Sequence, residues 1–280
     1  MINNKLSLNF PGGFAVLMSV HFQADSLFFS RAVDSIFENT LKPNQVIIVI
    51  DGKPSFSLRN TIHNLNKKYF KKITWVYQRK NTGLAISLNR GLKYVRCKWV
   101  VRADADDLNL PYRFITLSEI IKKNPDLDLL GSSILEIDSN EKILTYKHNP
   151  ESEKNIKRMI KFRSPFNHMS VAYKLESILS LGGYPKIYLK EDYGLWCHFI
   201  AHGMKITNIR KVLVHATAGD EMIKRRGGVK YIFSEYQIQA LIVKLGLNNI
   251  FSSFIIGLLR ASVFSSPFAV RKFIYLNFLR

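Results

Sequence analysis

From Phe14 to about Ser133 the chain alternates short apolar runs with amphipathic stretches. That alternation is the mark of repeated strand-helix units wound around a mainly parallel sheet. It predicts strands at Phe14-Val20, Val46-Ile50, Ile73-Tyr77, Trp99-Arg102 and Leu127-Gly131. Helices separate them. The first is expected to start after Asp25 as its N-cap, to place Phe29, Ala32, Val33, Ile36 and Phe37 on one face, and to stop ahead of Pro43. The expected class is therefore α/β, a Rossmann-like sheet flanked by helices.

Sheets of this kind bind ligands outside the carboxyl ends of their strands. Two acidic segments fall at such ends here, Asp51-Gly52 and Asp104-Ala105-Asp106-Asp107, the latter placing three carboxylates in four residues behind Trp99-Val100-Val101. Like charges this close repel, and keeping them ionised requires a cation or strong hydrogen-bond donors nearby. Oxygen-only ligands suit a hard divalent ion, Mg²⁺ or Mn²⁺, which binds through one or two carboxylates together with waters and phosphate oxygens. A solvated turn would also account for an Asp-rich tetrapeptide, but the strand-end position favours a site.

The second half is less regular. Pro165-Phe166-Asn167-His168 and Gly182-Gly183-Tyr184-Pro185 punctuate it before a helix expected over Glu191 to His202. After Gly227-Gly228 an apolar helical stretch runs through Leu247, followed by a tail that mixes Phe, Ile and Leu with isolated Arg and Lys. The chain carries 41 Lys and Arg against 21 Asp and Glu, a formal charge of +20, and from Lys224 onward the one acidic residue is Glu235. This asymmetry suits an anionic membrane surface, with the tail lying in the headgroup plane, while a C-terminal helix packed on the core accounts for the apolar residues equally well. Nucleic acid would also answer the charge, but the basic residues spread over helices and loops without an RNA- or DNA-binding motif, so it is set aside as a partner. Cys97 and Cys197 have no metal-ligand spacing and suit a reduced compartment. The apolar run at Phe14 to Val20 is too short and too poorly flanked for a signal peptide, and no segment reaches membrane-spanning length.

Four motifs in order carry a resemblance: Asp51-Gly52, Asn81-Thr82-Gly83-Leu84-Ala85, Ala103-Asp104-Ala105-Asp106-Asp107 and Glu191-Asp192-Tyr193-Gly194-Leu195-Trp196. Over residues 14 to 216 the chain resembles the family 2, GT-A type, inverting glycosyltransferases. Asn167-His168, Leu181-Gly182-Gly183-Tyr184 and Lys224-Arg225-Arg226-Gly227-Gly228 look more narrowly like bacterial enzymes that build O-antigen or exopolysaccharide repeat units.

The resemblance implies a GT-A domain over residues 1–220 and a basic, apolar helical region over 221–280. It implies that Asp51 bonds the uracil of a UDP-sugar, that Asp104 contacts ribose or metal, and that Asp106 ligates Mn²⁺ or Mg²⁺ across the diphosphate. Asn81 and Gly83 would face donor or phosphate, unless the segment is an ordinary helix start. Asp192 would be the general base that deprotonates the acceptor hydroxyl, and Glu191 would orient donor or acceptor. His215 fits a metal ligand and a structural strand-end residue equally, as Arg225-Arg226 fit a diphosphate clamp and a solvated loop. The chain departs from the family at His21-Phe22, Ile50 and Lys53-Pro54 near the uracil position, and lacks a Gln-x-x-Arg-Trp motif after Asp192, which favours a single transfer per acceptor.

The implied reaction moves glucose or galactose from a UDP-sugar to a polyprenyl-diphosphate-linked sugar, by analogy β1,3 onto N-acetylglucosamine-diphospho-undecaprenol, peripherally at the cytoplasmic face of a bacterial inner membrane. A nucleotidyltransferase is the alternative within enzymes, but no Gly-rich, Lys/Arg-bearing triphosphate loop follows the first strand.

Overall fold

A computed structural model describes residues 9–275. Strands β1 (Phe14–His21), β2 (Gln45–Asp51), β3 (Ile73–Gln78) and β4 (Trp99–Arg102) alternate with helices α1 (Ser26–Glu38), α2 (Phe56–Lys68) and α3 (Leu84–Leu92). Strand β1 pairs in parallel with both β2 and β4, and β2 with β3, giving the order β3-β2-β1-β4. Because the chain leaves β1 in one direction for β2 and β3 and returns on its other side as β4, the order reverses between β1 and β4. That switch point opens a crevice at the carboxyl ends of the strands.

The apolar runs are continuous because both faces of the sheet are covered. Along β1, Phe14, Val16, Met18 and Val20 enter one core and Ala15 and Leu17 the other, the period of two expected of a strand. Helix α1 is capped as the sequence implies, with Asp25 accepting from Leu27 N at 2.8 Å and Phe28 N at 3.0 Å. Phe37, half-buried, stacks on Tyr69 with centroids 3.9 Å apart.

Beyond β4 the sheet becomes mixed. The remaining strands are β5 (Leu108–Asn109), β6 (Leu129–Ile137), β7 (Ile143–Lys147), β8 (Ala172–Lys174) and β9 (Ile206–Thr217). Antiparallel β8 joins β4 to β6, which runs parallel to β9, while β5 and β7 pair antiparallel with β9 and β6. The strand expected at Leu127-Gly131 starts at Leu129 and continues to Ile137, and β5, β7 and β8 are additions to the expected set. Two of these, β5 and β8, are two or three residues long, too short for periodicity to register.

Helices α4 (Arg113–Lys123), α5 (Glu153–Met159) and α6 (Leu175–Ser180) surround the sheet, and α7 (Glu191–Ala201) enters with Glu191 and Asp192 in its first turn. The C-terminal helices are α8 (Asp220–Arg225), α9 (Val229–Lys244), α10 (Ile250–Ser265) and α11 (Phe268–Ile274). Helix α9 adds Ile238 and Ile242 to the same core that holds Leu195, Trp196 and Phe199 of α7. One buried charge cluster pins these helices together. Lys190, immediately before α7, donates to Glu235 of α9, and Arg260 of α10 approaches the same carboxylate at 2.9 Å.

Burial alone would raise the Glu235 carboxyl, but Arg260 and Lys190 overcome it and hold it low. Glu235→Gln strips two cations of their shared anion. It is expected to cost roughly 3–5 kcal/mol, the usual penalty for orphaning a buried charge, and a denaturant titration against wild type measures it.

Candidate active site

The crevice begins at Asp51, the last residue of β2, opposite His21 at the end of β1. Asp51 is buried, and its carboxylate organises the loop leading from β3 into α3. Its Oδ1 accepts from Thr82 N at 2.8 Å, Thr82 Oγ1 at 3.1 Å and Gln78 Nε2 at 3.2 Å, while Oδ2 accepts from Gly83 N at 2.9 Å. Gly83 caps α3 with φ 88°, a conformation that disfavours any side chain. Asn81 lies 3.1 Å from His21 across the same turn. The structure thus gathers Asp51, Asn81 and Gly83 into one unit, in which most of the acceptor capacity of Asp51 is engaged by its own chain.

The acidic loop sits on the other side of β1. Beneath it lie two fully buried arginines that the sequence pattern does not single out, Arg102 and Arg113. Arg102 donates to Asp104 Oδ1 at 2.5 Å and to the Ala103 carbonyl. Burial would weaken its proton affinity, yet Asp104 outweighs burial and raises it. Arg113 donates to the Arg102 carbonyl at 2.8 Å and to Asn109. Its guanidinium is lowered to about 9 by burial, with Asp107 acting against that. The donors demanded by three crowded carboxylates are therefore supplied in part from inside the protein. The one signal available in the sequence was a charged residue closing the apolar run Val100-Val101.

The three aspartates divide. Asp107 is buried, accepts from Thr217 N of β9 at 2.8 Å, and leaves Oδ2 without a hydrogen-bond partner. Burial, followed by the charges of Asp106 and Asp104, pushes its carboxyl well up. Asp104 is half-buried and Asp106 reaches the surface. The desolvating loop around Asp106 and the charge of Asp104 push its carboxyl up to about 6, against Arg225 and Arg102.

A divalent cation fits this donor set. Asp106 offers an accessible carboxylate, with the negative charge of Asp104 beside it. Among the described residues no three His, Cys, Asp or Glu side chains converge, so the protein would supply Asp104 and Asp106, with waters and substrate oxygens completing the shell. His215 lies on the neighbouring strand β9. It pairs with Leu108 in the sheet, faces away from the buried Val214 and Ala216, and burial lowers its imidazole with Glu141 as the opposing charge.

Glu191 and Asp192 line a cavity of about 540 Å³. Burial and the neighbouring Asp192 push Glu191 up to about 7, with Arg102 and Asp104 also acting on it. The pair thus stands within electrostatic reach of the acidic loop. Asp192, half-buried, is raised by burial and opposed by the charges of Arg226 and Lys147. Beside α7, His168 lies 3.0 Å from the Tyr184 hydroxyl, which in turn lies 3.0 Å from that of Tyr173. Asn89 of α3 holds Tyr184 through its backbone at 2.8 and 2.9 Å. The Asn167-His168 and Gly183-Tyr184 motifs are thereby tied together beside α7, with the His168 ring 6.1 Å from that of Trp196. Arg225 and Arg226 also line the cavity. Arg226 sits 5.0 Å over the Tyr275 ring, and the Arg271 guanidinium packs so closely on Gly227 that a Cβ there would approach within 2.4 Å.

Residues 16–179 match the family model for glycosyl transferase family 2. The chain is 36% identical over 268 residues to the UDP-Gal:alpha-D-GlcNAc-diphosphoundecaprenol beta-1,3-galactosyltransferase of Escherichia coli, covering 95% of this chain and 96% of that one. It is 29% identical to the amylovoran biosynthesis glycosyltransferase AmsE of Erwinia amylovora, over 94% and 97% of the two chains. Among solved structures, S. aureus TarS 1-349 in complex with UDP-GlcNAc has the same fold, with a TM-score of 0.68 at 17% identity over 94% of this chain and 75% of the other. The mannosyltransferase PcManGT of Pyrobaculum calidifontis, in complex with GDP-Man and Mn²⁺, gives 0.57 at 15% identity over 94% and 84%. The chain belongs to glycosyltransferase family 2.

Asp51→Asn turns an amide donor toward the N–H groups of Thr82 and Gly83. It is expected to lower stability by about 1–3 kcal/mol, the cost of unsatisfied buried polar groups, and to speed amide exchange at Thr82 and Gly83 more than along β1. Native protection at those two amides would contradict the role in ordering the turn.

Proposed function

We propose that this family 2 glycosyltransferase moves a hexose, galactose or glucose, from a UDP-sugar to N-acetylglucosamine-diphospho-undecaprenol or a close analogue, with inversion to a β1,3 linkage. The near full-length match to the E. coli galactosyltransferase is the observation that carries this reading. The arrangement of the crevice supports it.

In this reading the nucleotide lies across the switch point. The Asp51 unit meets the uracil, through the capacity left on Asp51 Oδ2 and the Asn81 amide, and Asp104 meets the ribose. Asp104 and Asp106 would hold Mn²⁺ or Mg²⁺, which when bound supplies Lewis-acid neutralisation of charge on the departing UDP. Arg225, whose charge already acts on Asp106, adds a second neutralising group on the leaving side.

Asp192 acts as base. An inverting displacement needs one carboxylate to take the proton of the acceptor hydroxyl as it attacks the anomeric carbon. The surroundings of Asp192 raise its basicity by desolvation, while Arg226 and Lys147 keep the ionised form accessible. Glu191, pushed up to about 7, gains and loses a proton near neutrality, and in its protonated form can donate a hydrogen bond to a sugar hydroxyl without a second negative charge beside the base.

The region 221–280 is read as the membrane-facing part and 1–220 as the transferase domain. No helix among the described residues is long and apolar enough to cross a membrane. Helix α10 buries the small residues Ser253 and Gly257 together with Phe264, and leaves Phe251, Phe254, Leu258 and Leu259 exposed. A large apolar face on a segment with a basic excess suits an anionic lipid surface, with the enzyme peripheral at the cytoplasmic leaflet where its acceptor is assembled.

The test offers UDP-galactose, UDP-glucose and UDP-N-acetylglucosamine to the protein with a synthetic alkyl-diphosphate-linked N-acetylglucosamine, with and without Mn²⁺, and determines the linkage by NMR. Asp192→Asn is expected to retain UDP affinity and lose about 10²–10⁴-fold in turnover, the usual contribution of a general base. Normal turnover would sink that assignment. Replacing Phe251, Phe254 and Leu258 together with Ser is expected to reduce flotation with anionic vesicles at least several-fold while sparing transfer to a detergent-soluble acceptor; unchanged flotation would remove the membrane role of α10.

A further inference from the structure

We propose that the cavity beside Glu191 and Asp192 contains a second anion subsite, formed by Lys147, Arg163 and Arg226, that binds the diphosphate of the acceptor lipid. The proposal rests on the acceptor class inferred under the proposed function and assigns that group its own place, separate from the donor diphosphate.

The cavity is lined by these cations and by the Glu191-Asp192 pair, and none of Asp51, Asp104 and Asp106 borders it. Its volume of about 540 Å³ lies in the range of small-molecule sites. The start of α7 therefore carries the carboxylates that border the basic cluster, while the strand-end aspartates lie outside this cavity. The adjacent residues Arg225 and Arg226 both line it but differ in the charges they act on. Arg225 acts on Asp106, whereas Arg226 acts on Asp192 and Lys147.

Two members of the cluster are in no ion pair among the described residues, although Glu136 acts on Lys147 and Arg226, and Asp192 on Lys147. Lys147 ends β7 half-buried and belongs to no ion pair among the described residues; the same holds for Arg163, in the loop after α5. Burial, then Arg226 and Arg163, lower the Lys147 ammonium to about 8, against the opposing pull of Glu136 and Asp192. Three like charges held around one cavity repel, and a dianionic guest relieves that repulsion while accepting charge-assisted hydrogen bonds from two guanidiniums and an ammonium.

The cavity wall also says what the diphosphate is attached to. Arg260, Val263 and Phe264 of α10 line it, and the same helix presents Phe254, Leu258 and Leu259 outward. A diphosphate seated on Lys147 has its sugar toward Asp192 and its alkyl chain free to run along α10. A free phosphate or a nucleotide would use the cations and leave this apolar wall unmatched.

The experiment compares three acceptors: N-acetylglucosamine diphosphate esterified with a long alkyl chain, the same diphosphate as its methyl ester, and N-acetylglucosamine as a long-alkyl glycoside without phosphate. Wild type, Lys147→Gln, Arg163→Gln and Lys147→Arg are assayed for acceptor KM and donor KM, with UDP affinity by calorimetry as the check on folding. Lys147→Gln is expected to raise KM about tenfold for both diphosphate acceptors, the size of a lost charge-assisted hydrogen bond. The glycoside and the donor should be unaffected, and Lys147→Arg should restore most of the loss. The long-alkyl diphosphate should bind more tightly than the methyl ester in every variant; equal binding would remove the lipid from the assignment. A KM for the diphosphate acceptors unchanged in both Gln variants, or a loss in donor KM instead, would overturn the subsite while leaving the transfer reaction standing. If the wild type neither binds nor uses any diphosphate acceptor, the functional reading falls and the subsite with it.

Discussion

Everything at the centre of this molecule rests on Arg102 and Arg113, two guanidiniums with no solvent exposure lying under a loop of aspartates. Neither would be tolerated in an apolar interior alone, because the desolvation of an unpaired charge costs several kcal/mol. Asp104 and the Asn109 side chain, with the carbonyls of Ala103 and Arg102 itself, make them tolerable. The dependence runs both ways. Without cations below, Asp104, Asp106 and Asp107 could not share four positions of chain without giving up charge to protons. The loop is held in a strained electrostatic balance, seen in Asp107, whose carboxyl is pushed well up and retains an oxygen without a partner. A further positive charge on the outer side is what such a balance is ready to receive.

The first half of the fold was legible because its physics is local. A strand buried on both faces must be apolar along its length, and the intervening helices must be amphipathic; the Asp25 cap and the ends of β2 and β4 come from those two demands. The mixed part of the sheet was not legible. Strands β5 and β8 are held by partners far away in sequence, Leu108 by His215 and Ala172 by Val101 and Leu130, and pieces this short have no pattern of their own. The site divided in the same way. Asp51, Asp104, Asp106, Glu191 and Asp192 could be placed at strand and helix ends by reading along the chain. Lys147, Arg163 and the buried arginines could not, since their importance comes from neighbours dozens of residues away. His215 was placed at its strand end by the same reading, and alternation along β9 sets its side chain opposite Val214 and Ala216.

Helix α7 is the part on which the two halves meet. Its first turn presents Glu191 and Asp192, beside it runs the His168-Tyr184-Tyr173 chain of hydroxyl and imidazole, and Lys190 ahead of it is fastened to α9. A short stretch of backbone thus receives constraints from the sheet, from α3 through Asn89 and Tyr184, and from the C-terminal helices. Such convergence fixes the direction of the first-turn carboxylates, as the proposed attack by one hydroxyl among several on a sugar ring requires.

The ion cluster at Glu235 bears on where this chain can be shortened. Hydropathy alone would place a cut near Asn248 and treat the remaining C-terminal residues as a detachable tail. Such a cut removes Arg260 from Glu235, and takes Phe264 from its edge contact with Tyr231 and from beneath the Lys190 ammonium. The pair left uncovered would be Lys190 with Glu235, and Lys190 is one position from Glu191. A truncated form would therefore lose activity for reasons unrelated to lipid, because the C-terminal helices are the back wall of the working enzyme whatever their outer face meets.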